Sequence, residues 1–274
     1  MESVSPHVYA SWVPSETLPP YDATRCYWVG DDHVVLLVDC GDGQEAGRAV
    51  LEADWRELGS PAVMGIVVTH YHPDHSGGAM WARRRWAAPV YLHPRDQSRL
   101  ALADAGSWAD PPQSWTVAGM RVECLPAPGH TPGQVNLWIS AERVLLAGDN
   151  VLGNSTVVIR PPDGDLGQYL ATLVRLRALK PAVIGPGHGD VVRDAEAYLA
   201  YYLQHRAERQ RQILALLEEE PKTAEELAQA IYAHLLAPAD RYLGVWMVQG
   251  HLAWCESNGL VARDGHGYRK VKDS

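Results

Sequence analysis

The stretch Thr69-His70-Tyr71-His72-Pro73-Asp74-His75-Ser76-Gly77-Gly78 constrains this chain more than any other. It sets four metal-ligand side chains within six residues, directly after the apolar run Gly65-Ile66-Val67-Val68. Histidines at i and i+2 leaving a strand point to the same side, and Asp74 and His75 fall in a turn before a helix N-terminus. Such an arrangement can offer two ligands to each of two neighbouring ions. In a chain with 12 His among 274 residues the pattern arises by chance in about one such sequence in a thousand. A lone histidine is most often a surface or satisfied core residue, but four such groups packed at one strand end without a common partner would be costly.

Three further segments place a ligand-type residue in a glycine-rich turn after an apolar run. They are Pro128-Gly129-His130-Thr131-Pro132-Gly133, Leu145-Leu146-Ala147-Gly148-Asp149-Asn150 and Ile184-Gly185-Pro186-Gly187-His188-Gly189. Each is weak evidence alone, since glycine turns are common; together they supply what the first cluster lacks. The surrounding sequence, from Arg25 to about Gly189, alternates short β-branched runs with helical stretches. Strands are expected at Cys26–Val29, His33–Cys40, Val63–Thr69, Val90–His93, Arg121–Leu125, Val135–Ile139, Val144–Ala147, Thr156–Ile159 and Ala182–Ile184. Helices are expected at Gln44–Leu58, Gly77–Trp86, Leu166–Leu179 and Ala195–Glu219.

The texture changes after Glu220, where Thr223 and Glu226 form a capping box before one helix. A second helical run covers about Tyr242–Ser257, and Leu260–Val271, with Asp264-Gly265-His266-Gly267 at its centre, reads as a hairpin. This order is that of a winged helix. The expected division is a catalytic domain at 1–206 and a small winged-helix-like domain at 207–274.

With these motifs assembled, the chain resembles the metallo-β-lactamase superfamily over about residues 20–190. The resemblance implies an α/β fold, an αββα sandwich with its site at one edge of two facing sheets. It also implies one ion held by His70, His72 and His130, a second held by Asp74, His75 and His188, and Asp149 bridging both. Asp74 would further help orient the attacking hydroxide, and Asp39, in Leu36-Leu37-Val38-Asp39-Cys40-Gly41, would orient the ligands. The run Gly148-Asp149-Asn150-Val151-Leu152-Gly153-Asn154-Ser155-Thr156 and the C-terminal elements look most like the beta-lactamase-like protein two group, whose animal members are described as single-strand-specific endoribonucleases. Arg25 departs from that group, standing beside Thr24 where the group usually has Asn. The remaining seven histidines, among them His33, His205 and His251, are expected to be structural or surface residues.

Imidazole and carboxylate ligands without thiolate suit two Zn2+ ions, and the set would also accept Mn2+ or Fe. The expected reaction is hydrolysis by a hydroxide shared between the ions, on phosphodiesters of single-stranded RNA. Hydrolysis of a small-molecule ester, thioester or lactone, as in glyoxalase II relatives, is the alternative. A mononuclear iron persulfide dioxygenase is disfavoured by the presence of Asp74, His75 and His188. A non-catalytic winged-helix nucleic-acid binder is disfavoured because residues 207–274 carry 8 Lys and Arg against 10 Asp and Glu; packing or homodimerisation suits these helices better. A net charge of −9 argues against a broad polyanion-binding surface. Within the metal-bearing half, Arg83-Arg84-Arg85 is the one basic cluster, read as a solvated helix face before an anchor for an acidic substrate. Trp108 and Trp115, in the loop 106–115, are core residues by default and cleft residues otherwise. No run of eighteen apolar residues and no leader-like N-terminus occurs, so no membrane span is expected and a cytoplasmic location is. Four widely spaced cysteines are expected to be free thiols.

Overall fold

The computed structural model describes residues 1–100, 107–218 and 220–271. One sheet contains β1 (Glu2–Ser5), β2 (Val8–Pro14), β3 (Ala23–Gly30), β4 (Val34–Val38), β5 (Ala62–Val67) and β6 (Val90–Tyr91), in sequence order. The second contains β7 (Ser114–Val117), β8 (Met120–Pro126), β9 (Val135–Ile139), β10 (Val144–Gly148) and β11 (Val183–Pro186), arranged β11-β10-β9-β8-β7. The central strands are apolar on both faces because both faces are covered. In β4, Leu36 and Val38 point between the sheets, where they share a core with Leu137 and Leu146. Val35 and Leu37 point outward to Leu51 of α1 (Glu45–Glu57) and Ala79 and Ala82 of α3 (Ala79–Trp86). In the second sheet Leu145 and Ala147 face outward to Tyr169 and Leu173 of α5 (Leu166–Ala178) and to Leu199 and Tyr202 of α6 (Ala195–Leu216). The result is four layers, helix, sheet, sheet, helix.

Two parallel pairs decide where the ligand-bearing loops go. β4 runs parallel to β5, and β10 runs parallel to β11. Parallel neighbours end on the same edge, so Asp39 comes beside Thr69, and Asp149 beside the 187–189 turn. Two short helices, α2 (Pro73–Ser76) and α4 (Pro94–Gln97), lie in loops at this edge.

Beyond the sandwich, Ile213 and Leu217 at the end of α6 pack with α7 (Ala224–Tyr232), α8 (Arg241–Ser257) and Val261 of the hairpin β12 (Val261–Asp264) and β13 (Gly267–Lys270). The Thr223 capping box is formed, with Glu226 N donating to Thr223 Oγ1 at 3.2 Å and Thr223 N to Glu226 Oε2 at 2.8 Å. α6 is continuous across residues 206 and 207 and serves both cores. α8 approaches the chain at Ile159 so closely that a Cβ on Gly250 would stand 1.9 Å from the Ile159 carbonyl oxygen.

Three strands were not expected, β1, β2 and β7, and one expected strand is absent. Thr156–Ile159 is not in a sheet, although Val157 and Ile159 are buried. Its backbone acceptors are taken by side chains instead: Arg206 donates to Val157 O, and His130 Nδ1 lies 3.2 Å from Val158 O. Buried extended chain and buried strand have the same apolar composition, so periodicity alone cannot separate them. All four cysteines are free. Among the described residues no helix is long and apolar enough to cross a membrane.

Candidate metal centre

The edge where the parallel strands end brings together all seven ligand candidates. His70, His72 and His130 offer ligand atoms within 4.8 Å of one another, as do His70, His75 and Asp149, and Asp74, His75 and His188. His72 Nδ1 is 3.0 Å from both His70 Nε2 and His130 Nε2. His75 Nε2 is 3.2 Å from His188 Nε2. Asp149 stands between the two groups, with Oδ1 at 3.3 Å from His75 Nε2 and 3.5 Å from His188 Nε2, and Oδ2 at 3.7 Å from His130 Nε2. Asp74 Oδ2 lies 3.3 Å from His188 Nε2.

The outward ring nitrogens explain which atoms face inward. His188 Nδ1 donates to Ala23 O at 2.8 Å, and His130 Nδ1 to Val158 O. His75 Nδ1 donates to Asp39 Oδ2 at 2.8 Å. Thr69 Oγ1 spends its proton on Asp39 Oδ2, so it accepts from His70 Nδ1 at 3.0 Å. When neutral, each of these four rings therefore turns the Nε2 lone pair toward the centre. Opposed lone pairs about 3 Å apart repel unless a cation or proton lies among them. Asp149 Oδ1 is also buried without a hydrogen bond of acceptable geometry. A donor set of inward imidazoles and two carboxylates, one with an orphaned oxygen, fits divalent metal.

Proton affinities in the metal-free protein follow the same geometry. Burial, then the neighbouring His75 and His72, push His70 well down; burial and His72 push His130 down to about 4. Burial also opposes charge on His188 and His75, but Asp149 with the other carboxylates outweighs it, raising His188 to about 9 and His75 well above its ordinary value. Burial raises Asp74 and Asp149, yet the adjacent imidazoles His75 and His188 win and hold both carboxyls low.

Asp39 works from behind the cluster. It adopts φ 60°, a left-handed conformation that Asp tolerates, and is 1% exposed. Its carboxylate accepts from Thr69 N at 2.7 Å as well as from Thr69 Oγ1 and His75. Two contributors, Asp96 and Tyr21, carried no signal in the motifs, and the role of a third, Gly187 of the 184–189 turn, was not legible there. Asp96 of α4 accepts from Tyr71 N, Thr131 Oγ1 and Gly133 N, so it ties the His72 loop to the His130 loop. Tyr21 stacks on His188 with centroids 5.3 Å apart. At Gly187 a Cβ would stand 2.0 Å from Asp149 Oδ1, so only glycine lets that carboxylate in.

The cluster opens into a cleft of about 780 Å³, with walls from the 16–21 loop, the 152–158 segment, α6, α7 and α8. Other sequence candidates lie elsewhere. Arg25 is buried; Nε donates to Gly189 O at 2.9 Å and the guanidinium pairs with Glu2, so it anchors the turn that carries His188. Arg83 donates to Ser107 O and Arg85 pairs with Glu52; neither lines the cleft. Trp115 packs between the sheets and Trp108 against the outer face of the first sheet, while Gly106 of the same loop is outside the described residues. His33 is exposed, whereas His205, expected to be structural or at the surface, lines the cleft.

Comparison with known proteins agrees with this architecture. Residues 20–188 match the family model described as Metallo-beta-lactamase superfamily. Lactamase-like protein adaB of Aspergillus niger is 32% identical over 202 residues, which cover 71% of this chain and 59% of that protein, so the chain spans less than two thirds of that relative's length. A Beta-lactamase-like protein 2 homolog of Caenorhabditis elegans is 29% identical over 77% of this chain and 71% of its own. Atrochrysone carboxyl ACP thioesterase of Emericella nidulans is 28% identical over 77% of this chain and 66% of its own. A solved metallo-beta-lactamase family protein from Thermus thermophilus superposes with TM-score 0.79 at 28% identity, covering 98% of this chain and 100% of that one.

Proposed function

Because the chain belongs to the metallo-β-lactamase superfamily, we propose that it is a metal-dependent thioester hydrolase. The observation that carries this reading is the wall of the cleft over the metal-ligand cluster. Leu18, Leu152, Val157, Leu235, Leu236 and Met247 line it, and among the described residues Arg209 is the one Lys or Arg that does. Apolar lining suits an acyl chain. An RNA channel needs a cationic track along the backbone, so RNA cleavage ranks second here. The Emericella nidulans relative, named as a thioesterase, supports the same choice.

In this reading His70, His72 and His130 would hold one divalent ion and Asp74, His75 and His188 a second, with Asp149 between them. Zinc suits the donor set. Bound there, the metals would supply Lewis acidity and a water acidified to a pKa of about 7. The chain's own residues do the rest. Asp39 and the carbonyls of Ala23 and Val158 hold the imidazoles in their inward-facing tautomers. Asp74 would help orient the attacking water, and the apolar walls would keep bulk solvent from the acyl group. We further propose a division into domains 1–206 and 207–274, the second of winged-helix type, and kinship with the beta-lactamase-like protein two group, which the Caenorhabditis elegans relative supports.

A hydrolysis screen with metal-reconstituted protein tests the proposal, using acyl thioesters, lactones and single-stranded RNA. Thioester turnover that disappears with a chelator and returns with metal is the expected result. RNA cleavage with no thioester turnover would reverse the ranking.

A further inference from the structure

The α6 wall of the cleft carries an unpaired positive charge. His205 and Arg209 lie four residues apart on α6, hence on one helical face, and both line the cleft that holds the His/Asp cluster. The Arg209 guanidinium carbon sits 4.6 Å over the Tyr232 ring, and Nη1 donates to Gln212 Oε1 at 2.6 Å. Its Nε is buried with no partner. The nearby acid Glu208 pairs with Arg211 instead, and among the described residues Arg209 has no carboxylate partner. One turn earlier, Arg206 is 2% exposed and donates to Val157 O, and its Nε is likewise buried and unpartnered.

Among the described residues neither of these two guanidinium groups has a carboxylate oxygen within 4.0 Å. The neighbouring imidazoles feel them: burial, then Arg206 and Arg209, push His205 down to about 4, and burial, then Arg206, His205 and Arg209, push His251 down to about 3. His205 Nδ1 and His251 Nε2 are also buried without partners. A buried charge left without a counter-charge is costly, and the cost is relieved when an anion arrives. The rest of this wall is apolar, with Leu236, Leu243 and Met247.

Resting on the thioesterase reading, we infer that Arg209, with His205 beside it, forms a subsite for an anionic group of the substrate, joined through an apolar spacer to the bond that is cleaved. The anion is a carboxylate on the acyl part or a phosphate on the thiol carrier; guanidinium Nε–H and Nη–H can receive either.

The test compares thioesters that differ in where the charge sits. One set uses the uncharged thiol N-acetylcysteamine, with octanoate, the half-thioester of octanedioate, and its methyl-capped form as acyl groups. The other uses octanoyl-coenzyme A, which carries phosphate on the thiol. A charge-assisted hydrogen bond predicts a KM at least about 10-fold lower for the anionic member of one pair. Arg209→Gln should bring that pair's KM values together, and Arg209→Lys, which keeps the charge, should restore part of the gap. A gap for octanedioate assigns the anion to the acyl part, and a gap for coenzyme A assigns it to the carrier. Equal KM values in both pairs, or a gap that survives Arg209→Gln, would overturn the subsite. If no thioester is hydrolysed, the thioesterase reading fails and the subsite is read by calorimetry, with octanedioate, octanoate and inorganic phosphate titrated into metal-loaded protein. Octanedioate binding tighter than octanoate, or phosphate binding, that is lost in Arg209→Gln and partly kept in Arg209→Lys supports it. No difference between wild type and Arg209→Gln overturns it.

Discussion

At the scale of single residues, the centre depends on groups that hold other groups still. Asp39 receives three hydrogen bonds from Thr69 and His75 in a left-handed backbone conformation. Asp39→Ala leaves the His75 Nδ1 proton and the Thr69 amide without acceptors. Metal affinity should then fall about 10- to 100-fold, the usual effect of losing a partner behind a ligand. Asp149→Ala should cut deeper, because its carboxylate faces His75, His188 and His130 at once. Its expected signature is loss of turnover and of bound metal by elemental analysis, with the cooperative thermal transition kept. Near-wild-type turnover in Asp149→Ala would remove that residue from the site. The sequence pointed to Asp149 because it ends an apolar run in a glycine turn, and to Asp39 through the resemblance to the metallo-β-lactamase superfamily. It could not point to Asp96, which serves two loops distant in the chain and sits in no motif.

Among the elements, the 152–158 segment and α8 matter most for the cleft. The segment replaces a sheet partner with side chains of α6: Tyr202 Oη lies 2.8 Å from Leu152 N, to which it is acceptor, and donates to Ser155 O. α8 closes over its far end only because residue 250 is glycine. Gly250 has an ordinary helical backbone, so the requirement is room for the Ile159 carbonyl and not conformational freedom. Gly250→Ala must move α8 or the segment, at about 1–3 kcal/mol for an overpacked contact. For a domain of this size that corresponds to a fall in Tm of a few degrees. Since Leu243 and Met247 of the same helix line the cleft, KM for an acyl substrate should rise as well. An unchanged Tm and KM in Gly250→Ala would mean the contact is not tight in solution.

For the whole molecule, metal and protons compete for the same nitrogens, and the direction can be worked out. In the metal-free protein His188 is raised to about 9 from an ordinary 6.5. Its contribution is complete below pH 6.5 and is lost as pH rises through about 9. His130 is lowered to about 4, so the unfolded chain binds that proton first and stability falls as pH drops from 6.5 towards 4. Metal-free protein should therefore melt highest near pH 6.5, whereas the gain in Tm on adding metal should grow from pH 6.5 to 9, as the imidazoles become free to ligate. A metal-free Tm that stays flat from pH 6.5 to 9 would contradict this. The sequence by itself determined the α/β class and the chemistry of the cluster, because hydrophobic period and ligand spacing are local properties written along the chain, whereas the αββα layering was implied by the family resemblance. The ends of α1, α5 and α8 and the Thr223 cap were legible for that reason. Only the tertiary structure decided that Thr156–Ile159 lies outside the sheets, that Arg25 braces the His188 turn, and that His205 and Arg209 face the cleft. Those outcomes depend on which distant groups meet once β4 and β5, and β10 and β11, run parallel and α6 crosses behind them. Long-range packing of that kind has no periodic or motif signature in the chain.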